Sequence, residues 1–206
     1  MRRLPPGMPW AWARKRVLPV IELAEPTSSI GDPHVTVSGP FGMRIGFGID
    51  LRDVLVRVPQ SLVDRWGLPI HALEDEALAN LRWLAADLGP GDLQEIEHEG
   101  THARFLTVPS GNASSLILIP KELHRVLGLG RHTLVTVSRG LLLALPFEAP
   151  LKVVWDYMSV ITYLDPTPLQ EGPFAFEDGR LEEWIPPPER RVRRIKRPTS
   201  RRSGSR

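Results

Sequence analysis

Short runs in which apolar and polar residues alternate predict β-strands in the first third of the chain. Four short β-like runs lie at 17–23, 34–38, 43–49 and 54–58, and the alternation is clear in the second and the fourth. Pro, Gly, Asp and Ser separate the runs, and turns favour these residues. Strands that alternate in this way are half buried, so we predict a meander or a small, mostly antiparallel sheet.

Apolar residues spaced three and four apart predict one long helix at about 69–88. The apolar stripe consists of Leu73, Ala77, Leu81, Leu84 and Leu88. Pro69 precedes the stripe and Gly89 follows it, as expected at the two ends of a helix.

Three shorter helices are predicted at about 61–66, 121–127 and 151–164. The first has Ser61 as its predicted N-cap and Gly67 as its stop. The second begins after Pro120, because proline is favoured in the first turn of a helix.

Two hairpins and one buried strand are predicted in the second half of the chain. Residues 93–98 and 102–108 alternate around a Glu-Gly-Thr turn, and residues 133–137 and 141–145 flank Ser-Arg-Gly. The continuous apolar run at 115–119 predicts a buried strand.

The composition divides the chain into four parts. Residues 1–16 are predicted to be irregular. Residues 17–164 are predicted to form a single α+β domain, in which a small, mostly antiparallel sheet is packed by one long and two or three short helices. Seven prolines follow Asp165, so 165–188 is predicted to be an extended segment, and the apolar-poor residues 189–206 to be a disordered tail. Three aromatic residues would anchor the extended segment on the domain: Phe174, Phe176 and Trp184.

The composition also favours a cytoplasmic protein. The chain has no cysteine, which excludes disulfides, thiolate metal sites and cysteine nucleophiles. No stretch approaches the roughly 20 apolar residues that span a bilayer. The basic N-terminal residues lack the apolar core of about 7–15 residues that a signal peptide needs.

Charge is distributed unevenly along the chain. Nine of the 26 basic residues and one of the 24 acidic residues lie beyond residue 188, so the tail carries +8. The remaining 17 basic and 23 acidic residues give the body −6.

The basic tail is a candidate for polyanion binding. Its proposed contact residues are Arg190, Arg191, Arg193, Arg194, Lys196, Arg197, Arg201 and Arg202. Such segments bind nucleic-acid backbones through counterion release, and arginine favours bidentate phosphate contacts. No aromatic residue is interleaved, so stacking on bases is not predicted. The alternatives are an acidic membrane surface, the protein's own acidic body, or a solubilising tail with no dedicated target.

One flank of the predicted long helix is a candidate partner-recognition patch. It consists of Glu76, Asn80, Trp83 and Asp87. Asparagine has no helix-propensity reason to lie in mid-helix. Its amide either satisfies backbone groups of a neighbouring segment or belongs to a polar patch with Trp83 as its aromatic anchor.

The sequence contains no motif that assigns catalysis, a metal or a cofactor. A complete dinucleotide fingerprint, a phosphate-binding loop and a Gly-x-Ser-x-Gly elbow do not occur. His98 and His102 are expected to face each other across a hairpin near Glu97 and Glu99. Because a structural zinc site needs four ligands, and further ligands are not identified, no metal is assigned.

Three segments between residues 49 and 147 carry a family resemblance. They are Ile49-Asp50 with Ser61-Leu62-Val63-Asp64-Arg65-Trp66-Gly67, then Ala77-Leu78-Ala79-Asn80-Leu81, and finally Ala113-Ser114-Ser115-Leu116-Ile117-Leu118 with Ser138-Arg139-Gly140-Leu141-Leu142. Together they resemble the YtpQ-like family of bacterial proteins of unknown function, with Gly140 where the family pattern has an acidic residue. The resemblance implies a bacterial cytoplasmic α/β protein and supplies no reaction, cofactor or catalytic residue.

Three functions therefore remain open from the sequence. The first is a non-enzymatic binding or accessory module whose tail binds a polyanion such as nucleic acid, with a protein partner for the body. The second is a hydrolase or transferase whose site combines scattered His, Ser and acidic residues. The third is a structural subunit of a larger assembly, in which the Pro-rich segment docks on a neighbour.

Overall fold

The computed structural model describes residues 4–5, 7–22, 33–52, 54–165, 168–169 and 172–187. Within these residues the α-helices are α1 (Trp10–Ala13), α2 (Gln60–Trp66), α3 (Ile70–Ala86), α4 (Pro120–Leu127) and α5 (Leu151–Leu164). The strands are β1 (Val17–Glu22), β2 (Thr36–Ser38), β3 (Arg44–Asp50), β4 (Leu55–Arg57), β5 (Gln94–His98), β6 (Thr101–Thr107), β7 (His132–Val135), β8 (Leu141–Pro146), β9 (Phe174–Glu177) and β10 (Arg180–Glu183). The predicted α+β class is confirmed.

The strands form two antiparallel sheets rather than the single sheet that we predicted. In the four-stranded sheet, β3 lies between β1 on one side and both β2 and β4 on the other. The six-stranded sheet has the order β10-β9-β7-β8-β6-β5. Alternation along one strand reveals which residues are half buried, but it does not reveal which strands are neighbours.

The four-stranded sheet has one apolar face and one face that carries charge. Phe47 and Ile49 of β3 pack in a core cluster with Leu62 and Val63 of α2 and with Leu73 of α3. Residues of β3 with the opposite parity point to the other face. That face carries charged residues at its edges.

The six-stranded sheet is covered by apolar residues on both faces. On one face, residues of β6–β9 pack against α4 and a 3-10 helix at Ala113–Leu118, with Leu123 and Leu116 in the shared cluster. On the other face, Val153 and Val154 of α5 pack against the sheet. The first of these clusters also contains Leu18 of β1, so one core joins the two sheets.

The predicted helices at 61–66 and 69–88 are present, with small changes at their ends. α2 begins at Gln60, and the extended Pro59 occupies the N-cap, so the predicted N-cap role of Ser61 is wrong. Gly67 ends α2 with φ of 63°, a left-handed conformation that glycine adopts without strain.

The buried strand predicted at 115–119 is wrong, because residues Ala113–Leu118 form a 3-10 helix. The segment is buried as expected. The Ser115 hydroxyl donates a hydrogen bond to Asn112 Oδ1 at 2.7 Å, and this local contact stabilises a turn instead of an extended chain. A short apolar run does not by itself distinguish a buried strand from a helical turn.

The Pro-rich segment predicted to be extended contains the β9–β10 hairpin. The hairpin lies between Pro173 and Pro186, where proline does not interrupt the strand hydrogen bonds. Two of the predicted anchors, Phe174 and Phe176, are buried in the core cluster. The predicted disordered tail at 189–206 lies outside the described residues. Among the described residues, no helix combines the length and apolarity that a membrane crossing requires.

Candidate functional site

Three arginines lie near one glutamate on the charged face of the four-stranded sheet, and we call this group the arginine cluster. Its members are Arg44, Arg57 and Arg139 around Glu22. In the strand register, Glu22 of β1 is opposite Arg44 of β3, and Arg57 of β4 is opposite Gly48 of β3. Paired residues lie on the same face of a sheet, so Glu22, Arg44 and Arg57 share one face.

The glycines of β3 make room for this charge on the sheet surface. A Cβ at Gly46 would lie 2.8 Å from Arg57 Nη1 and closer still to the Glu22 carboxylate. With no side chain there, Arg57 and Glu22 form an ion pair directly over the strand. The side chains of the pair are 20% and 15% exposed, so the pair is mostly shielded from water.

Arg139 approaches the same face from the turn between β7 and β8. Its Nε donates a hydrogen bond to the Ile21 carbonyl oxygen at 3.3 Å, next to Glu22 in the chain. The Arg139 carbonyl oxygen accepts hydrogen bonds from the Ser114 hydroxyl and backbone N–H, both at 3.1 Å. The 3-10 helix thus holds the turn and places the guanidinium at the junction of the two sheets.

The buried hydroxyl and amide groups near this turn connect the same two sheets. Asn112 Nδ2 donates a hydrogen bond to the Pro19 carbonyl oxygen of β1. A Cβ at Gly140 would lie 3.9 Å from the Gly111 carbonyl oxygen, so the loop before the 3-10 helix runs beside the arginine turn. In that loop, Ser110 Oγ is buried and has no hydrogen-bond partner among the described residues.

Burial acts against the charged form of two members of the arginine cluster. Desolvation, and secondarily the nearby Arg139 charge, lower the pKa of Arg57 from its ordinary value to about 10. Desolvation also lowers the pKa of Arg139, and the carboxylate of Asp165 partly opposes that change. Desolvation therefore opposes the charged form of two neighbouring, partly buried arginines.

The chemistry of this arrangement is that of an oxyanion site. Guanidinium groups donate several hydrogen bonds in a plane and pair with phosphate or carboxylate oxygens in bidentate geometry. Arg44 is oriented by a hydrogen bond from its Nη2 to Thr36 Oγ1 at 2.8 Å. Glu22 pairs with Arg57 and Asp165 acts on Arg139, so a bound oxyanion would be an additional partner of these guanidinium groups.

A second charged group, the hairpin–helix cluster, lies where the β5–β6 hairpin meets α5. It consists of His98, Glu99, Lys152 and Asp156, and the ligand atoms of its His and two carboxylates lie within 4.8 Å of one another. Lys152 Nζ lies 2.6 Å from Glu99 Oε1 and 2.7 Å from Asp156 Oδ2. The ammonium therefore already occupies the position between the carboxylates that a metal ion would take.

The expectation that His98 and His102 face each other is wrong. In the hairpin register Glu97 is opposite His102, while His98 is opposite Thr101, so the two histidines point to opposite faces. His98 Nε2 lies 3.3 Å from Asp156 Oδ2 on the α5 side, and its ring is edge-on to Tyr157. The structure thus brings His98 together with α5 instead of with His102.

The predicted partner-recognition patch divides into a structural half and an exposed half. Asn80 Nδ2 donates hydrogen bonds to the carbonyl oxygens of Arg14 at 2.7 Å and Val17 at 2.9 Å. Glu76 forms an ion pair with Arg14 at 3.2 Å. These contacts fasten the N-terminal segment to α3, whereas the Trp83 side chain is 76% exposed and Asp87 follows the helix end on the surface.

Other polar residues considered for catalysis have structural partners. Ser114 and Ser115 are fully buried and donate to the Arg139 carbonyl oxygen and to Asn112. His132 is buried beside His124 and Arg104, and desolvation, followed by these two charges, lowers the pKa of His132 from 6.5 to about 4. The eight tail residues proposed for polyanion binding lie outside the described residues.

An open cleft of about 400 Å³ lies beside the β9–β10 hairpin. Phe41, Pro173, Phe174, Glu183 and Trp184 line it, together with Gly172. Glu183 is the charged side chain among these lining residues. The cleft is therefore chemically unlike the arginine cluster, since three of its six lining residues are aromatic.

Sequence reasoning missed the arginine cluster. Arg139 bonds to Ile21 across 118 positions of the chain, and no local pattern connects such residues. The signals in the sequence were Gly46 and Gly48. Glycines in a strand indicate that space is needed beside them, but they do not reveal which side chains fill that space.

The chain shows no match in comparisons with known protein families, curated proteins and solved structures.

Proposed function

We propose that this protein is a non-enzymatic binding or accessory module that engages a phosphate-bearing polyanion, such as nucleic acid. The single observation that carries the proposal is the proximity of two partly buried arginines, Arg57 and Arg139, on the charged face of the four-stranded sheet. The basic tail adds flexible, sequence-independent affinity, and the arginine cluster adds a positioned contact. A cytoplasmic location and membership of the YtpQ-like family belong to the same proposal.

The positions of the ionisable groups support binding over catalysis. An enzyme site needs a nucleophile or base with its partner group held open to a substrate. Here the buried serines donate to structural acceptors, and the exposed His98 and Asp156 belong to an ion-pair network with Lys152. The hydrolase or transferase alternative would need a different set of residues.

The test is fluorescence anisotropy with labelled duplex DNA and labelled RNA over a salt series. The full chain is compared with Arg139→Gln, which retains a donor for Ile21, and with a tail variant in which the eight proposed basic residues become Gln. We expect binding at low salt with a steep log–log dependence, to which each neutralised duplex phosphate contributes a slope of roughly 0.9. The tail variant should lose most of that slope.

The arginine variant separates the cluster from the tail. Arg139→Gln should weaken binding about tenfold and reduce the salt slope by about 1. The matched control is Arg131→Gln, an exposed arginine paired with Glu177 and Glu182, which should leave affinity unchanged. If the full chain binds neither nucleic acid at low salt, polyanion binding is wrong. If Arg131→Gln and Arg139→Gln weaken binding equally, the cluster has no special part in it.

A further inference from the structure

The aromatic cleft (Phe41, Pro173, Phe174, Glu183 and Trp184) has walls that are held in place before any ligand arrives. The Trp184 indole N–H donates a hydrogen bond to Thr133 Oγ1 at 3.0 Å, which fixes the ring against the six-stranded sheet. The Phe41 and Phe174 rings lie 5.7 Å apart in a tilted contact. A preformed aromatic surface reduces the ordering cost of binding.

Phe41 is held in an unfavourable backbone conformation at the cleft. Its φ of 55° and ψ of 28° are left-handed values that bulky side chains rarely adopt. This conformation leaves the ring 49% exposed while it contacts the buried Phe174. Strained residues of this kind concentrate at binding sites, because the surrounding structure maintains them for a purpose other than local stability.

The chemistry of the cleft fits a proline-rich, basic segment of extended chain. Aromatic-lined grooves bind polyproline II segments, whose fixed φ angles reduce the entropy lost on binding. Glu183 provides an acceptor for a guanidinium, and aromatic faces attract cations. In the β9–β10 hairpin Glu183 is opposite Phe174, so this exposed carboxylate lies at the end of the hairpin that borders the cleft.

This chain itself contains a segment with that chemistry. Immediately after Trp184 the sequence is Ile185-Pro186-Pro187-Pro188-Glu189-Arg190-Arg191. Three consecutive prolines favour polyproline II, and the arginines that follow complement the charge of Glu183. The segment therefore matches the cleft in both backbone preference and charge.

We propose that the cleft binds residues 185–191 of a second copy of this chain. Trp184 forms one wall of the cleft, whereas Ile185, Pro186 and Pro187 of the same copy are not among the residues that line it. Three residues of polyproline II extend about 9 Å without reversing direction. An exchange between two copies places each proline run in the other cleft, and the contact is self-complementary as two-fold symmetry requires.

This inference goes beyond the proposed polyanion binding and does not rest on it. Sedimentation velocity of the full chain, over about a hundredfold range of concentration, should reveal a reversible monomer–dimer equilibrium. Phe41→Ala should weaken dimerisation roughly tenfold or more, as expected for an aromatic anchor. Replacement of Pro186, Pro187 and Pro188 by Ser should have the same effect, and Glu183→Gln a smaller one.

A mixing experiment identifies the second copy as the occupant. The Phe41→Ala chain retains the proline run and the triple-Ser chain retains the cleft, so each supplies what the other lacks. We expect both variants to be monomeric alone and to form a heterodimer when mixed, with one of the two contacts restored. The matched control is Trp155→Ala on α5, a residue that is 48% exposed and does not line the cleft, which should leave the dimer intact.

Each contrary result overturns the proposal. A wild-type chain that remains monomeric throughout the concentration range has no exchanged segment. A dimer that survives Phe41→Ala does not use the cleft, and a dimer that Trp155→Ala abolishes uses the α5 face. Failure of the two variants to associate on mixing would place the segment in the cleft of its own chain.

Discussion

The arginine cluster and the hairpin–helix cluster contain similar kinds of charged residue, but their environments act on them in opposite directions. In the hairpin–helix cluster, hydrogen bonds to Asp156 and Glu99 raise the pKa of Lys152, and hydrogen bonds from Lys152 and His98 lower the pKa of Asp156. Both changes favour the charged forms. In the arginine cluster, burial lowers the pKa of Arg57 and of Arg139, so both changes disfavour the charged forms.

This contrast separates a network in which hydrogen bonds favour the charged forms from a group in which desolvation opposes them. Arg57 and Arg139 are partly buried, and each has an acidic group acting on it, Glu22 and Asp165 respectively. Two guanidinium groups held close together can contact one oxyanion, and this is the reason why we propose a binding role for the arginine cluster.

The largest expected effect is that of Glu22→Gln. This variant removes the carboxylate paired with Arg57 and leaves a largely buried guanidinium without its ion-pair partner. We expect the free energy of unfolding, measured by urea denaturation, to fall by ~3 kcal/mol. A double variant, Glu22→Gln with Arg57→Met, should recover much of the loss. If Glu22→Gln has no effect, the two charged clusters do not differ in the way we describe.

A smaller loss is expected when a methyl group is introduced under the ion pair. Gly46→Ala places a Cβ where the Glu22 carboxylate and Arg57 lie, so one of them must move. Overpacking of this kind should lower the free energy of unfolding by about 2 kcal/mol. Gly89→Ala is the matched control, since a Cβ there meets nothing within 4 Å and φ is −146°. Equal stability of the two variants would contradict the close packing of the cluster.

His132 lies in β7, an inner strand of the six-stranded sheet, and it tests whether burial disfavours the charged form of a side chain in this core. The pKa of His132 is lowered to about 4, so the unfolded chain binds more protons than the folded one between pH 4 and 6.5. Stability is therefore retained above pH 6.5 and lost as the pH falls towards 4. After solvent screening is allowed for, the loss at pH 5 should be on the order of 1 kcal/mol.

The measurement for His132 is the pH dependence of urea denaturation between pH 7 and 5. His132→Gln should make the curve flatter than that of the wild type, because the group that takes up a proton on unfolding is gone. His102→Gln, at a strongly exposed site, is the control and should leave the curve unchanged. Parallel wild-type and His132→Gln curves would show that His132 keeps an ordinary pKa.

The smallest effect is expected in the hairpin–helix cluster. Lys152→Ala removes the ammonium that bridges Glu99 and Asp156, but these groups are exposed and screened by water and salt. The midpoint of urea denaturation should remain within experimental error of the wild-type value at physiological salt. A loss as large as that of Glu22→Gln would remove the distinction between the two clusters.

Local pattern was sufficient to predict much of the fold. The apolar stripe of α3 and the alternation of β5 and β6 depend on neighbours within one turn or one hairpin, and both elements are present where predicted. The 3-10 helix at Ala113–Leu118 was missed because a short apolar run fits more than one buried conformation. The second sheet was missed because strand pairing depends on contacts between distant segments.

The candidate site was less accessible to sequence reasoning than the fold. Asn80 stood out as a polar residue in mid-helix, and its two hydrogen bonds to the N-terminal segment explain it structurally. Arg57 and Arg139 did not stand out, because each is ordinary in its own strand or turn. Their proximity arises only when the β7–β8 turn packs against β1, a consequence of tertiary structure.

The most direct test of the central claim is the thermal unfolding of the full chain in inorganic phosphate, compared with chloride at equal ionic strength. A ligand that binds the folded state stabilises it in proportion to its occupancy. Phosphate should raise the Tm of the wild type and of Arg131→Gln by about 3 °C. It should leave the Tm of Arg139→Gln unchanged. Equal shifts in wild type and Arg139→Gln, or no shift in the wild type, would contradict an oxyanion site at the arginine cluster.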